Sequence, residues 1–300
     1  MTAITLQEPF RAVFYAPFYA AVARGDFAEE GVEVRLLTVG DPDRAAANLL
    51  SGAADLAWSG PMRVIRDHTR DPASPLVSFG AVVMGDPFLL VGRGARPGFR
   101  LSDLREVTLG VVSEVPTPWW CLQHDLRRAG IDPAAIRTVT GRSMAENMAA
   151  VAAGRLDLAQ LFEPFASLLE AEGGQVWHAQ ASHGPTSYTA FYATHAALES
   201  KRAEMRAMVR GIAAMQRWLH ATPAAGIAAT VAPFFEGIAA PVLERAIGRY
   251  LALGIWSRTP RFPRDAFGML EAAMLGAGAI PRAPGFAACV DEAIVEEALA

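Results

Sequence analysis

Short apolar runs suited to buried strands alternate along this chain with stretches whose apolar positions recur at helical spacing. Ile4–Leu6 reads as a first strand. Pro17–Arg24 reads as a helix opened by proline and stopped by Gly25, and Val32–Leu37 as a second strand. Asp43–Ser51 is predicted helical, Leu56–Trp58 a strand, Met62–Thr69 a helix and Leu76–Val83 a buried strand. Pro87–Val91 follows as an extended crossover. The rhythm then repeats: strand Val107–Val112, helix Pro118–Ala129, strand Ile136–Val139, helix Ser143–Ala153, strand Leu156–Gln160, helix Pro164–Glu172. Ser143 and Glu146 have the spacing of a capping box. Tyr188–Ala193 alternates like a strand crossing back. From Ala196 the pattern is helical, about five helices punctuated by Pro223, Pro241, Pro263 and Pro284.

Within this rhythm one passage is written twice. Ala46–Pro61, with Gly52 and Asp55-Leu56-Ala57, recurs as Met148–Pro164, with Gly154 and Asp157-Leu158-Ala159. Each copy is a helix stopped by glycine, a turn, a short strand opened by Asp-Leu-Ala, and a closing proline. Two α/β units of one design predict two lobes of mostly parallel sheet, whose strand ends and helix N-termini face a shared cleft. The expected division is residues 1–86 with 190–300 for lobe one and 87–189 for lobe two.

Composition narrows the function. With 52% hydrophobic residues, a formal charge of −4 and no basic run, a nucleic-acid surface is not expected. No apolar run reaches the ~18 residues of a membrane span. Two cysteines, Cys121 and Cys289, suit neither a disulfide framework nor a metal site, and Lys201 is the one lysine. No cofactor is expected. The start of the chain lacks the pattern of a secretory leader, which fits a cytoplasmic protein or a chain beginning after a removed leader.

The cleft rule nominates its own residues. Lobe one offers Tyr15 and Phe18 around the first helix, Asp41 before the second, and Trp58, Ser59 and Gly60 before the third. Asp41 equally suits a helix cap, and Phe18 and Trp58 equally suit the core. Lobe two offers Ser113, Thr117, Trp119 and Trp120 at a strand-to-helix turn. Adjacent helical positions point about 100° apart, so one tryptophan is expected in the cleft. Arg142 and Glu163 are possible polar anchors, each with a bland alternative as a rim charge or a helix-terminus carboxylate. Tyr188 on the return crossover is a further wall. Cys121 with His124 could form a nucleophilic pair, though i, i+3 residues meet on any helix.

The run from Pro17 to Val34, PFYAAVARGDFAEEGVEV, resembles the opening of the NMT1-type periplasmic binding proteins. The ordered Gly52…Asp55-Leu56-Ala57 and Phe162-Glu163-Pro164 elements are similar to that family's pocket edges. The resemblance spans roughly residues 4 to 220. It implies a two-lobed type II periplasmic-binding-protein fold with two crossover strands and a helical C-terminal region. It also implies service to an ABC importer of sulfonates, nitrate or thiamine-precursor pyrimidines, with a permease partner and a periplasmic or cell-surface setting. The reading is a solute-binding protein that closes on a small planar, pyrimidine-like molecule, with alkylsulfonate or nitrate as runner-up. A cytoplasmic enzyme of the same fold, pyrimidine synthase-like, decarboxylase or desulfinase, is the alternative, and a cytoplasmic sensor the third. The cysteine-rich run of the yeast-type synthase is missing.

Overall fold

The computed structural model describes residues 2–300, and for residues 42 and 43 the backbone alone. Ten strands form two sheets: β1 (Thr2–Glu8), β2 (Val32–Thr38), β3 (Leu56–Ser59), β4 (Leu76–Val83), β5 (Leu89–Arg93), β6 (Thr108–Val112), β7 (Arg137–Arg142), β8 (Leu158–Leu161), β9 (Gly174–Ala179) and β10 (Thr189–Thr194). The first sheet has the order β2-β1-β3-β10-β4 and the second β7-β6-β8-β5-β9. These are one topology used twice. In each, three strands pair in parallel, and a strand from a crossover runs antiparallel between the third and the outermost.

The duplicated passage is the reason. Gly52 and Gly154 both end their helices with positive φ, 72° and 70°, which glycine adopts without the steric cost of a Cβ. The aspartate three residues on then does the same work in both copies. The Thr5 amide donates to Asp55 Oδ2 at 2.8 Å, and the Thr108 amide donates to Asp157 Oδ2 at 2.8 Å. Each carboxylate thereby fixes the central strand of its sheet against the neighbouring one. Asp55 additionally pairs with Lys201 Nζ at 2.7 Å.

Two features depart from expectation. Pro87–Val91 is not only a connection: β5 is an interior strand of the second sheet, so each sheet is mixed, four strands running one way and one the other. The C-terminal region forms seven helices among the described residues, and two of them reach across to the second half. Ala240–Leu253 packs on Phe165–Ala171, and Arg264–Gly276 packs on Thr117–Arg128. One apolar cluster consequently runs through both halves, joining Phe18, Trp58 and Phe191 to Phe88, Phe162, Ile247 and Tyr250. No helix among the described residues is long and apolar enough to cross a membrane.

Candidate functional site

Between the sheets lies a narrow cleft, partly open to solvent, with a free volume of about 30 Å³. The first half contributes Phe10 and the tight turn Val13–Tyr15, from which Phe14 and Tyr15 project just before the helix that Pro17 opens. Ser59 and Gly60 add the carboxyl end of β3, and Met62 and Arg63 the first turn of helix Met62–Arg70. A Cβ on Gly60 would sit 3.3 Å from the Tyr188 carbonyl, so the residue is small because the return crossover passes against it. From the other side come Phe88, the turn Val115-Pro116-Thr117, and Ser187 with Tyr188.

The walls are mostly rings. Tyr15 lies 4.3 Å from Phe14 and 5.7 Å from Phe10, centre to centre, and Phe88 lies 6.2 Å from Tyr188. A second aromatic layer supports them: Phe18 stacks on Trp58 at 4.5 Å and 9°, and Trp58 meets Tyr15 edge-on at 6.0 Å. Such offset and edge contacts hold rings in fixed orientations.

Polar chemistry is sparse and local. Arg63 Nε donates to Ser59 Oγ at 3.0 Å, which sets a guanidinium at the cleft edge. Burial pushes the Tyr15 phenol up, with Arg63 opposing, so it stays a neutral donor. Burial also pushes the Tyr188 phenol well up, reinforced by the nearby Asp86 carboxylate. The Tyr188 hydroxyl faces that buried carboxylate without closing a hydrogen bond of normal geometry to it.

Of the residues the sequence nominates, Tyr15, Ser59, Gly60, Thr117 and Tyr188 come together on this cleft. Phe18 and Trp58 are fully buried behind it and take the core alternative. Asp41 is exposed, and its carbonyl accepts the Ala45 amide at 3.1 Å, in the helix-start role. Ser113 and Arg142 are exposed and hold each other, Ser113 Oγ donating to the Arg142 carbonyl at 2.7 Å. Neither tryptophan is a cleft wall. Trp119 joins the apolar cluster of the second half, and Trp120 packs on the cluster containing Met62 and Phe267. Both rings are half-buried; helix Arg264–Gly276 packs on Thr117–Arg128 and supplies part of the apolar cluster that Trp120 meets.

Glu163 is fully buried, not a ligand carboxylate in the lining. It accepts from Ser167 N and Oγ, both at 3.0 Å, and pairs with Arg249 at 2.7 Å, while Tyr250 Oη accepts its amide at 2.8 Å. Cys121 is also fully buried, and burial followed by the charges of Asp86 and Asp125 raises its thiol well above the usual range. A reactive cysteine needs the opposite environment. The nominations missed Phe10, Met62, Arg63 and Phe88. Arg63 had a usable signal, since it stands one turn after the Ser59-Gly60-Pro61 strand end. Phe10 and Phe88 lie in loops whose course only the tertiary fold sets.

Comparison with known proteins places this geometry. Residues 14–225 match the family described as NMT1/THI5 like. The Bacillus subtilis (strain 168) protein named "Putative binding protein YtlA" is 27% identical over 302 residues, covering 99% of this chain and 90% of its own. Among solved structures, the periplasmic aliphatic sulphonate binding protein SsuA from Escherichia coli shares the fold with a TM-score of 0.75 at 16% identity, over 94% of this chain and 95% of its own. The desulfurization enzyme DSZB shares it too, with a TM-score of 0.70 at 13% identity, over 100% and 99%. With more than half of its length matched, the chain belongs to the NMT1/THI5-like family.

Proposed function

We propose that this protein is the solute-binding component of an ABC-type importer, holding a small molecule between its halves and delivering it to a permease outside the cytoplasm. The ring-walled cleft with one fixed guanidinium supports this reading best. Aromatic walls suit a flat or aliphatic body. The Arg63–Ser59 pair suits an anionic edge, because charge-assisted hydrogen bonds from arginine are strong and directional. The sequence favours a pyrimidine-like ligand, with a carboxylate to receive its amino group. Glu163 is committed to Arg249 and Ser167, so the balance moves to the runner-up, an anion such as an alkylsulfonate or nitrate. SsuA, named for binding aliphatic sulphonates, shares the fold.

Thermal shift and calorimetry with an alkylsulfonate, nitrate, an aromatic acid and an aminopyrimidine test this. A ligand at 100 times its Kd adds about 2.7 kcal/mol to apparent stability. Arg63→Met is expected to weaken anion binding at least tenfold, a loss of about 1.4 kcal/mol. Tight aminopyrimidine binding untouched by Arg63→Met would return the ligand to the heterocycle class. Turnover of any of these compounds would replace the binding protein with an enzyme.

A further inference from the structure

Helix Met62–Arg70 has a second charged face besides the turn that opens onto the cleft. Arg63, Arg66 and Arg70 recur three and four residues apart, so all three side chains leave the helix on one side. They line a groove against helix Pro42–Leu50, floored by Ala46, Ala47 and Leu50, with Asp67 also in its wall. Leu50 is 53% exposed there. The groove has a free volume of about 300 Å³, against about 30 Å³ for the cleft. Arg63 borders both spaces and is the one described residue they share.

No ordinary structural duty accounts for these charges. Asp67 is the carboxylate of the lining, and it accepts the Ser74 hydroxyl. Arg66 and Arg70 have no hydrogen-bond or ion-pair partner among the described residues. Like charges at this spacing weaken a helix. An arginine in a last turn usually serves the terminal carbonyls. Here Arg282 does that instead, its Nη2 donating to the His68 and Thr69 carbonyls at 3.0 and 3.4 Å. Arg63 stands in the first turn, where the helix dipole disfavours a cation. The chain as a whole carries a formal charge of −4, so its overall field repels anions and only a local row of cations attracts them.

We propose that this groove is a capture site for organic anions: a sulfonate or carboxylate head rests on Arg66 and Arg70, a short apolar body rests on Ala46, Ala47 and Leu50, and Arg63 passes the anion to the cleft. At its present width the cleft has room for about two waters. An anion that arrives while the halves are together therefore meets the groove first. Arg63, anchored through Nε to Ser59 Oγ at 3.0 Å, is the step between the two spaces. The passage rests on the anion reading of the proposed function; the groove does not.

Two measurements on the full chain keep these apart. In the first, arginine Nε–H signals are followed by NMR during titration with butanesulfonate or methanesulfonate. Arg66 and Arg70 should shift saturably, with butanesulfonate about threefold tighter or more because its body is longer. Arg261, paired with Glu296, should stay in place. The groove signals should still titrate in Arg63→Met, so the site is read even where the cleft takes no anion. In the second, stopped-flow fluorescence follows butanesulfonate association with the cleft. The Arg66→Gln, Arg70→Gln double variant should associate about threefold more slowly or worse at low salt. That difference should vanish in 1 M NaCl, where the screening length is about 3 Å, and Arg66→Lys with Arg70→Lys should restore the wild-type rate. Arg66 and Arg70 signals that do not saturate would overturn the site, and an acidic protein partner for these arginines would give that result. Saturable signals with an unchanged association rate in the double glutamine variant would overturn the passage. Wild type that shows groove binding and no cleft binding would overturn the passage and the anion reading together while upholding the groove.

Discussion

The two copies of the helix–Gly–Asp-Leu-Ala passage begin alike and end differently. In both, glycine stops the helix and the aspartate bonds a strand amide at 2.8 Å. Past the strand the copies part. Ser59-Gly60 opens onto the cleft and fixes Arg63 there, whereas Phe162-Glu163 is sealed beneath helix Ala240–Leu253 by Arg249 and Tyr250. Duplication preserved the scaffold of the strand, and the element that packs on its end decided the use. The first end met open space and became a wall of the site. The second met a C-terminal helix and became part of the joint between the halves.

The largest effect should come from breaking that sealed end. Arg249 Nη1 is 2.7 Å from Glu163 Oε1, and Nη2 is 2.5 Å from Glu170 Oε2, with Arg249 only 18% exposed and Glu163 fully buried. Arg249→Met strands a buried carboxylate, and urea denaturation should show a loss of about 2–4 kcal/mol. Ser59→Ala, at the corresponding end of the first copy, should change stability by less than about 1 kcal/mol. A loss at Ser59 matching that at Arg249 would erase the contrast.

A smaller effect sharpens the shared part. Gly52→Ala and Gly154→Ala each force a Cβ into left-handed backbone, at about 1–2 kcal/mol. A Cβ at Gly52 meets nothing within 4 Å, while one at Gly154 would lie 2.1 Å from Arg93 Nη1. That atom ends a flexible side chain and can swing aside, so Gly154→Ala should cost only slightly more. Near-equal melts confirm equivalent turns; a variant as stable as wild type at either position shows that its glycine is not required.

These residues also mark what the sequence could reveal. The glycines, the Asp-Leu-Ala strands and the Ser143–Glu146 capping box act on neighbours close in the chain, so spacing alone exposed them, and the box forms as read. Tyr15, Ser59 and Thr117 lie on the cleft because strand ends and helix starts face it in this architecture. Glu163 and Trp120 lie outside the cleft lining for one shared reason. Their surroundings include helices Ala240–Leu253 and Arg264–Gly276, more than 75 residues away in sequence, and nothing near them announces that cover; Trp119 packs instead on the apolar cluster of its own half. β9 was missed because GQVWHA has only two strongly β-forming side chains, Val176 and Trp177, and follows paired glycines.

The smallest expected effect probes the two aspartates directly. Asp55 is partly buried and accepts the Thr5 amide while holding Lys201; Asp157 is exposed and accepts the Thr108 amide. Removing a charged acceptor from a strand amide costs about 1–2 kcal/mol where water cannot replace it, and less where it can. Asp157→Ala should therefore lose about 0.5 kcal/mol and Asp55→Ala about 1–1.5 kcal/mol. The Lys201 pair, with side chains 35% and 20% exposed, adds at most a few tenths. Lys201→Met separates the two contributions: with Lys201 gone, Asp55→Ala should still cost more than Asp157→Ala, because burial of the amide bond and not the ion pair sets the difference. If the two costs become equal in the Lys201→Met background, the two carboxylates do equal work on their strands and the asymmetry between the halves begins only past the strand end.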